Sequence, residues 1–234
     1  MSAGPPSHRG DSPLRLAPFE DPEREAVGAA TFVLALRARG IRDTELLRAM
    51  ELVPRELFAP RRFADLARSD IALPLPCGQT MTGPATVAAM LLALGVERDQ
   101  RILEVGTGTG YVSALLARLG ASVHTVERYG TLAESASGHL RVAGIGAAVR
   151  VEVADGLAQR PRERFDRILL NGALSAVPAT LTGLLAPGGR LVGALTVEGA
   201  PRLLRVDCSG AEFREAMEGP LRISPLLRGA AVSL

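Results

Sequence analysis

The chain has 234 residues, of which 47% are hydrophobic and 22% are charged, and its formal net charge is +2. This length suits one domain with an appendage, and this hydrophobic content excludes a chain that is disordered over most of its length. The small net charge and the scattered arginines exclude a surface built for nucleic acid, so we expect no nucleic-acid partner.

Cysteines and histidines are too few to organise a site. Cys77 and Cys208 form no CxxC pair and the three histidines are dispersed, so we expect no metal. We expect Cys77 to be a small buried filler. The N-terminus lacks the apolar centre of a signal peptide, and no apolar run is long enough to span a membrane. These features predict a cytoplasmic monomer without a membrane partner.

The first part of the chain predicts a tail followed by helices. Residues 1–20 are rich in Pro, Gly and Ser and predict a flexible tail. Residues 21–95 predict a helical segment that ends in a substrate-side turn. Its first helix is expected to stop at Gly40, and the second to begin with Asp43 or Thr44 as N-cap.

Residues 96–234 predict a ligand-binding α/β domain that forms one structural unit with the helical segment. Five apolar strands alternate with helices: "RILEV" (101–105), "ASVHTVE" (121–127), "AVRVEVADG" (148–156), "FDRILLNGA" (165–173) and "PGGRLVGAL" (187–195). This alternation predicts a doubly wound, Rossmann-like parallel sheet with helices on both faces. Any ligand is then expected at the carboxyl ends of the strands.

A glycine-rich loop, "GTGTG", follows the first strand of this sheet. Gly106, Gly108 and Gly110 remove side chains where the backbone approaches a ligand or adopts a positive φ. A dinucleotide fingerprint, GxGxxG, requires a third glycine at the position of Tyr111. The spacing therefore disfavours a nicotinamide oxidoreductase.

Three carboxylates accompany the loop. Glu127 ends the second strand, where it can accept hydrogen bonds from both ribose hydroxyls of S-adenosylmethionine or NAD. Asp155 ends the third strand and can accept a hydrogen bond from an adenine amino group. Glu104 lies inside the first strand, where a cationic, amino-acid-like ligand would offset its burial. Together these groups predict an S-adenosylmethionine site; the alternative is that Glu127 and Asp155 only cap the helices that follow them.

A turn upstream of the loop, "CGQTMTG" (77–83), carries an amide and two hydroxyls but no charge. Its side chains are Gln79, Thr80 and Thr82, and an apolar helix, "PATVAAMLLAL", follows. One interpretation is that Thr80 or Thr82 caps this helix. The other is that the turn binds an anionic substrate beside the helix N-terminus.

Several of these segments, in this order, resemble the protein-L-isoaspartate O-methyltransferase family. They are "ALRARGIRDTELLRAMELVPRELFAP", "LPLPCGQTMTGPATVAAML", "ILEVGTGTGYVSALLA", "VHTVER", "VADG", "FDRILLNGA" and "LLAPGGRLV". The resemblance implies methylation of the α-carboxyl of L-isoaspartyl residues in damaged proteins by S-adenosylmethionine. The ester then cyclises to a succinimide, which hydrolyses partly to normal aspartate.

The resemblance also implies roles for individual residues. Those expected at the reacting groups are Thr82, Thr80 and Gln79. Those expected to bind the cofactor are Glu104, Gly106, Thr107, Gly108, Gly110, Glu127, Arg128, Asp155 and Gly156. Those expected to bind substrate are Asn171, Gly172 and Ala173. A carboxylate acceptor is ionised at neutral pH and needs no general base, so neutral groups that orient it fit this chemistry.

The sequence departs from the family pattern on the acceptor side. Thr82 stands where the family usually has serine, "NGALSAVP" replaces the usual residues before a proline, and the segment 220–234 matches only loosely. Asn171 can therefore donate to the substrate or hold its loop. Two alternatives stay open: a paralogous methyltransferase for another small-molecule or peptide carboxylate, and a non-catalytic S-adenosylmethionine-binding protein.

Overall fold

The computed structural model describes residues 22–158, 163–210, 212–229 and 231. The predicted tail, 1–20, lies outside the described residues. The helices are α1 Pro22–Ala38, α2 Thr44–Leu52, α3 Arg55–Phe58, α4 Pro84–Leu94, α5 Tyr111–Arg118, α6 Gly130–Val142 and α7 Ala179–Thr182. The strands are β1 Leu73–Pro74, β2 Thr80–Met81, β3 Arg101–Val105, β4 Ser122–Glu127, β5 Val149–Val153, β6 Phe165–Leu174, β7 Leu185–Val197, β8 Ala200–Ser209 and β9 Glu212–Pro220.

The predicted N-terminal helices are confirmed. α1 ends two residues before Gly40, whose φ of 89° the absence of a Cβ permits. Asp43 is the N-cap of α2, and its side chain accepts a hydrogen bond from the Leu46 amide at 2.8 Å. This cap satisfies one of the amides that a helix start leaves without an intrahelical partner.

The central sheet has seven strands in the order β5-β4-β3-β6-β7-β8-β9. The first five of these strands are parallel, as the alternating pattern predicts. β8 and β9 add an antiparallel extension at the β7 edge, which the pattern of strands and helices did not predict. The signal for β8 was an alternation in which Leu204, Val206 and Cys208 are buried between more exposed residues.

The two faces of the sheet bury different clusters. Ile102 and Leu169 belong to a core that includes apolar residues of α1, α2, α4, α5 and α6. Leu103 and Ile168, their chain neighbours, point to the other face and pack in a cluster with Leu181 of α7. Helical and sheet residues thus share one core; that residues 21–95 and 96–234 form one structural unit stays a prediction. The segment between β6 and β7 contributes only the single helical turn α7.

Arg55 is the largest fully buried side chain, 1% exposed, and lies at the start of α3. Its guanidinium donates to the carbonyl oxygen of Ala67, to that of Ile71 at 3.3 Å and to that of Thr82 at 2.9 Å. It also lies 5.8 Å from the centroid of the Tyr111 ring, on α5. Burial lowers the pKa of Arg55 from its ordinary value. One buried cation therefore joins the helical segment, the turn and the sheet domain.

Glu104 is the buried anion of the core, 0% exposed in the middle of β3. The hydroxyls of Ser113 and Thr125 donate to its Oε2, the latter at 2.8 Å. Its Oε1 is buried and has no hydrogen-bond partner among the described residues. Burial raises the pKa of Glu104 to about 7, although the two hydroxyl donors act in the opposite direction.

Replacing Arg55 tests its structural role. We expect Arg55→Met to lower the free energy of unfolding by about 3 kcal/mol, because buried carbonyls lose a charged hydrogen-bond donor. Urea denaturation measures this change. Arg48→Met is the matched control: Arg48 is exposed, and the loss of its surface ion pair with Glu51 costs less than about 1 kcal/mol. Equal losses in the two variants would contradict the role of Arg55.

The raised pKa of Glu104 predicts a pH dependence of stability. Its pKa is about 7 in the folded chain against an ordinary 4.5, so the folded state keeps this proton up to a higher pH than the unfolded state does. The stabilisation is fully present below pH 4.5 and is lost as the pH rises to 7, a change on the order of 3 kcal/mol. Glu104→Gln should remove this slope from urea denaturation series at pH 4.5–7. The prediction would be contradicted if the free energy of unfolding of Glu104→Gln and of the unmodified protein changed with pH in parallel.

Candidate functional site

A cleft of about 660 Å³ opens at the carboxyl ends of β3, β4, β5 and β6. Two further segments complete its wall: the turn formed by residues 77–83, which we call the signature turn, and residues 224–229, which we call the C-terminal strap. The cleft therefore lies where the parallel topology predicts a ligand.

Ten of the residues with predicted roles line this cleft: Gln79, Thr80, Thr82, Gly106, Gly108, Glu127, Arg128, Asp155, Gly156 and Asn171. Five others do not line it: Glu104, Thr107, Gly110, Gly172 and Ala173. Glu104 lies in the sheet core, where Thr125 joins it to Thr107 through a hydroxyl pair at 2.6 Å. Glu104 is thus linked to the glycine-rich loop from behind.

Glu127 fastens the glycine-rich loop to the end of β4. Its carboxylate is 5% exposed and accepts hydrogen bonds from the amides of Gly108, at 2.9 Å, and Tyr129, at 3.0 Å. The N-cap of α6 is Tyr129, without a side-chain hydrogen bond, so the interpretation of Glu127 as a helix cap is wrong. Because each carboxylate oxygen has two lone pairs, Glu127 can still accept hydrogen bonds from a ligand in the cleft.

Asp155 connects the third strand to the C-terminal strap. Its Oδ1 accepts from the Leu157 amide at 3.0 Å, and its Oδ2 accepts from the Gly229 amide at 2.7 Å. The described residues that follow it, up to 158, form a turn and no helix, so the capping interpretation fails here as well. The strap contact was invisible in the sequence because it joins positions 74 residues apart.

The glycines of the loop serve different purposes. A Cβ on Gly108 would meet only Leu75, at 3.8 Å, so the loop backbone is open to the cleft there. A Cβ on Gly110 would lie 3.2 Å from the Cβ of Ala136, on α6. Gly110 therefore permits close packing of α5 on α6 and also has a φ of 90°. Its predicted cofactor contact stays a prediction.

The signature turn depends on two residues in left-handed backbone conformation. Cys77 has φ 59° and Gly78 has φ 66°. The Gln79 side chain donates from Nε2 to the Cys77 carbonyl at 3.1 Å, so one of its amide protons is used within the turn. Cys77 is half-buried and its Sγ lies 3.5 Å from the Thr131 hydroxyl, so the expectation of a buried filler is wrong.

The helix after the signature turn is not capped by a threonine. Gly83 is the N-cap of α4 and offers no side chain, while Asp70 accepts a hydrogen bond from the Ala85 amide at 2.9 Å. The interpretation of Thr80 or Thr82 as the cap is therefore wrong. Both hydroxyls line the cleft instead.

Asn171 holds the signature turn against the glycine-rich loop. Its Oδ1 accepts a hydrogen bond from the Thr82 hydroxyl at 3.3 Å, and its Nδ2 donates to the Gly106 carbonyl at 3.1 Å. Of the two roles considered for Asn171, holding a loop is visible in the structure. One amide proton remains for a ligand.

The C-terminal strap docks on the end of β6. The Ala173 amide donates to the Ser224 carbonyl at 2.9 Å, and the Leu226 amide donates to the Ala173 carbonyl at 2.8 Å. A Cβ on Gly172 would lie 2.5 Å from Leu226 Cγ, so only glycine permits this approach. Gly172 and Ala173 thus contact the strap, which itself lines the cleft through Ser224, Pro225, Leu226 and Leu227. Sequence reasoning missed these strap residues.

A second cavity of about 270 Å³ adjoins the cleft and shares Thr80, Thr82, Gly108 and Asn171 with it. Tyr111 lines this cavity, and its buried hydroxyl has no hydrogen-bond partner among the described residues. Burial raises the pKa of Tyr111 above its ordinary value, which keeps the phenol neutral.

The described ranges contain no helix that is both long and apolar enough to cross a membrane. In the same ranges, no group of three His, Cys, Asp or Glu side chains lies close enough together to hold a metal ion.

Known proteins resemble the chain over most of its length. The family model of protein-L-isoaspartate(D-aspartate) O-methyltransferase matches residues 29–226. The protein-L-isoaspartate O-methyltransferase of Methylorubrum populi is 44% identical over 211 residues, covering 89% of this chain and 99% of that relative. The enzyme of the same name from Azorhizobium caulinodans is 41% identical over 219 residues, covering 92% and 99%.

Solved structures share the fold. A protein-L-isoaspartate O-methyltransferase superposes with a TM-score of 0.76 at 22% identity, covering 86% of this chain and 67% of that one. A Plasmodium falciparum structure in complex with S-adenosyl-L-homocysteine gives 0.75 at 18% identity, covering 85% and 98%. The predicted Rossmann-like methyltransferase fold is thus confirmed. On the family match and the bacterial relatives, the chain belongs to the protein-L-isoaspartate O-methyltransferase family of S-adenosylmethionine-dependent enzymes.

Proposed function

We propose that the chain transfers the methyl group of S-adenosylmethionine to the α-carboxyl of L-isoaspartyl residues in damaged proteins. The observation that carries this proposal is the wall of the cleft formed by the signature turn, where Gln79, Thr80 and Thr82 carry an amide and two hydroxyls but no charge. Such a wall binds a carboxylate by hydrogen bonds without the competing attraction of a cation. The relatives named protein-L-isoaspartate O-methyltransferase support this choice of acceptor.

The residues present fit S-adenosylmethionine. Glu127 and Asp155 lie at adjacent strand ends and would hold the ribose hydroxyls and the adenine amino group. The open backbone at Gly108 permits close approach of a ligand beside the loop. Glu104, which does not line the cleft, would act on the loop through Thr125 and Thr107. Arg128 and Gly156 complete the lining near these carboxylates. When bound, the cofactor supplies an electrophilic methyl group on a sulfonium.

The protein's part in the reaction is orientation. The acceptor carboxylate is already ionised at neutral pH, so no residue has to remove a proton from it. The signature turn, through Thr80 and the remaining Gln79 amide proton, would hold it in line with the methyl group, which can account for much of the rate. Thr82 lies in the same turn and directs its proton to Asn171. Asn171, Gly172 and Ala173 would act on the substrate mainly through the parts they hold: the signature turn and the C-terminal strap.

We further propose that the enzyme works as a cytoplasmic monomer on protein substrates, without nucleic-acid or membrane partners. The names of the relatives support protein substrates. Sedimentation at micromolar concentration tests the monomer.

A pair of synthetic peptides tests the acceptor. They differ only in carrying isoaspartate or normal aspartate at one position, and each is incubated with labelled S-adenosylmethionine. We expect a base-labile methyl ester on the isoaspartyl peptide alone, followed by succinimide. Equal labelling of the two peptides would contradict isoaspartyl selectivity. Labelling of neither, with cofactor binding measured separately, would indicate another carboxylate acceptor.

Glu127→Gln tests the cofactor contact. The variant keeps the shape of the side chain but loses its charge, so we expect S-adenosylmethionine to bind about 1.5–3 kcal/mol more weakly in calorimetry. Glu134→Gln removes a carboxylate from the exposed surface of α6 and should leave the affinity within twofold. An unchanged affinity in Glu127→Gln would remove Glu127 from the cofactor site.

A further inference from the structure

The signature turn and the C-terminal strap meet through one pair of hydroxyls. Thr80 Oγ1 lies 2.6 Å from Ser224 Oγ, a close hydrogen bond between residues 144 positions apart. Both side chains line the cleft. Either hydroxyl can be the donor, so the direction of this bond decides which of the two protons remains free.

A count of protons distinguishes the two threonines of the turn. A hydroxyl has one proton to donate. The Thr82 proton is directed to Asn171 Oδ1, so Thr82 offers lone pairs to the cleft. Lone pairs repel a carboxylate, which needs donors. If Ser224 donates to Thr80, the Thr80 proton is free to point into the cleft.

The backbone at Ser224 is fixed, which holds its hydroxyl beside that of Thr80. The Ser224 carbonyl accepts a hydrogen bond from the Ala173 amide at 2.9 Å. The next strap residues are held by the Leu226 amide on the Ala173 carbonyl and by the Gly229 amide on Asp155. The strap thus presents the Ser224 hydroxyl to the turn at a defined position.

We propose that Ser224 is a positioning residue whose hydroxyl donates to Thr80, so that Thr80, and not Thr82, donates the hydroxyl proton that holds the acceptor carboxylate. This inference rests on the proposed carboxyl methylation. It predicts that Ser224 acts through Thr80, since Ser224 directs the Thr80 proton without donating to the substrate itself. The reacting atoms and the methyl transfer are unchanged by it.

Steady-state kinetics on the isoaspartyl peptide test this chain of contacts. We expect Ser224→Ala to lower kcat roughly 5- to 10-fold, the loss of one neutral hydrogen bond. Thr80→Val should lower kcat more, on the order of 10- to 100-fold, because a bond to a charged group is lost. Ser224→Thr, which keeps a hydroxyl, should retain kcat within threefold, and the dissociation constant of S-adenosylmethionine should stay within twofold in all three variants.

The double variant gives the sharpest outcome. If Ser224 acts through Thr80, then Ser224→Ala added to Thr80→Val should lower kcat by less than twofold further. If Ser224→Ala lowered kcat by the same 5- to 10-fold in the unmodified protein and in Thr80→Val, the inference would be overturned. It would also be overturned if Ser224→Ala weakened only the binding of S-adenosylmethionine, because the strap would then serve only to close the cleft. A larger loss of kcat in Thr82→Val than in Thr80→Val would also overturn it.

Ser137→Ala is the matched control for removing a serine hydroxyl. Ser137 lies in α6 and donates to the Ala133 carbonyl at 2.8 Å, outside the cleft. The kcat of Ser137→Ala should equal that of the unmodified protein. The unmodified protein also separates the two proposals: no ester on the isoaspartyl peptide contradicts the function, whereas normal activity that Ser224→Ala leaves unchanged contradicts only the role of Ser224.

Discussion

The buried guanidinium of Arg55 is the interaction on which the site depends. It donates to the carbonyls of Ala67 and Thr82, and so it fixes the backbone of the signature turn without itself lining the cleft. A buried cation is costly unless its donors are used, and here carbonyls of the turn and its neighbours accept from Nη1 and Nη2, while Nε has no partner among the described residues. The same contacts explain why the "VPRELF" segment accompanies the turn in this chain: Arg55 belongs to the first and bonds to the second.

Charge is thereby separated from the reacting groups. Arg55 does not line the cleft, whereas Glu127 and Asp155 do. The lining residues of the signature turn, Gln79, Thr80 and Thr82, carry an amide and two hydroxyls. A carboxylate held by such neutral groups keeps its negative charge available for attack, because no cation neutralises it.

Sequence patterns predicted the local parts of this arrangement and missed its long-range contacts. Gly108 and Glu127 could be placed because a glycine loop after one strand and a carboxylate at the next strand end have fixed positions in a parallel sheet. The roles of Ser224 and Gly229 could not, because they depend on how the C-terminal strap returns to β6. Gly110 was assigned to the cofactor on its motif, whereas its neighbours show that helix packing also requires it. A threonine before a proline suggested a cap for α4, but Asp70, 15 residues upstream of Ala85, binds the exposed amide.

A crystal structure with S-adenosyl-L-homocysteine and an isoaspartyl peptide is the most direct test of this arrangement of the site. We expect the ribose hydroxyls on Glu127 and the peptide α-carboxylate within about 3.2 Å of Thr80 Oγ1, the range of a hydrogen bond. The carboxylate should contact no arginine, and the Ser224 hydroxyl should remain on Thr80. A carboxylate paired with Arg128, or bound away from the signature turn, would contradict it.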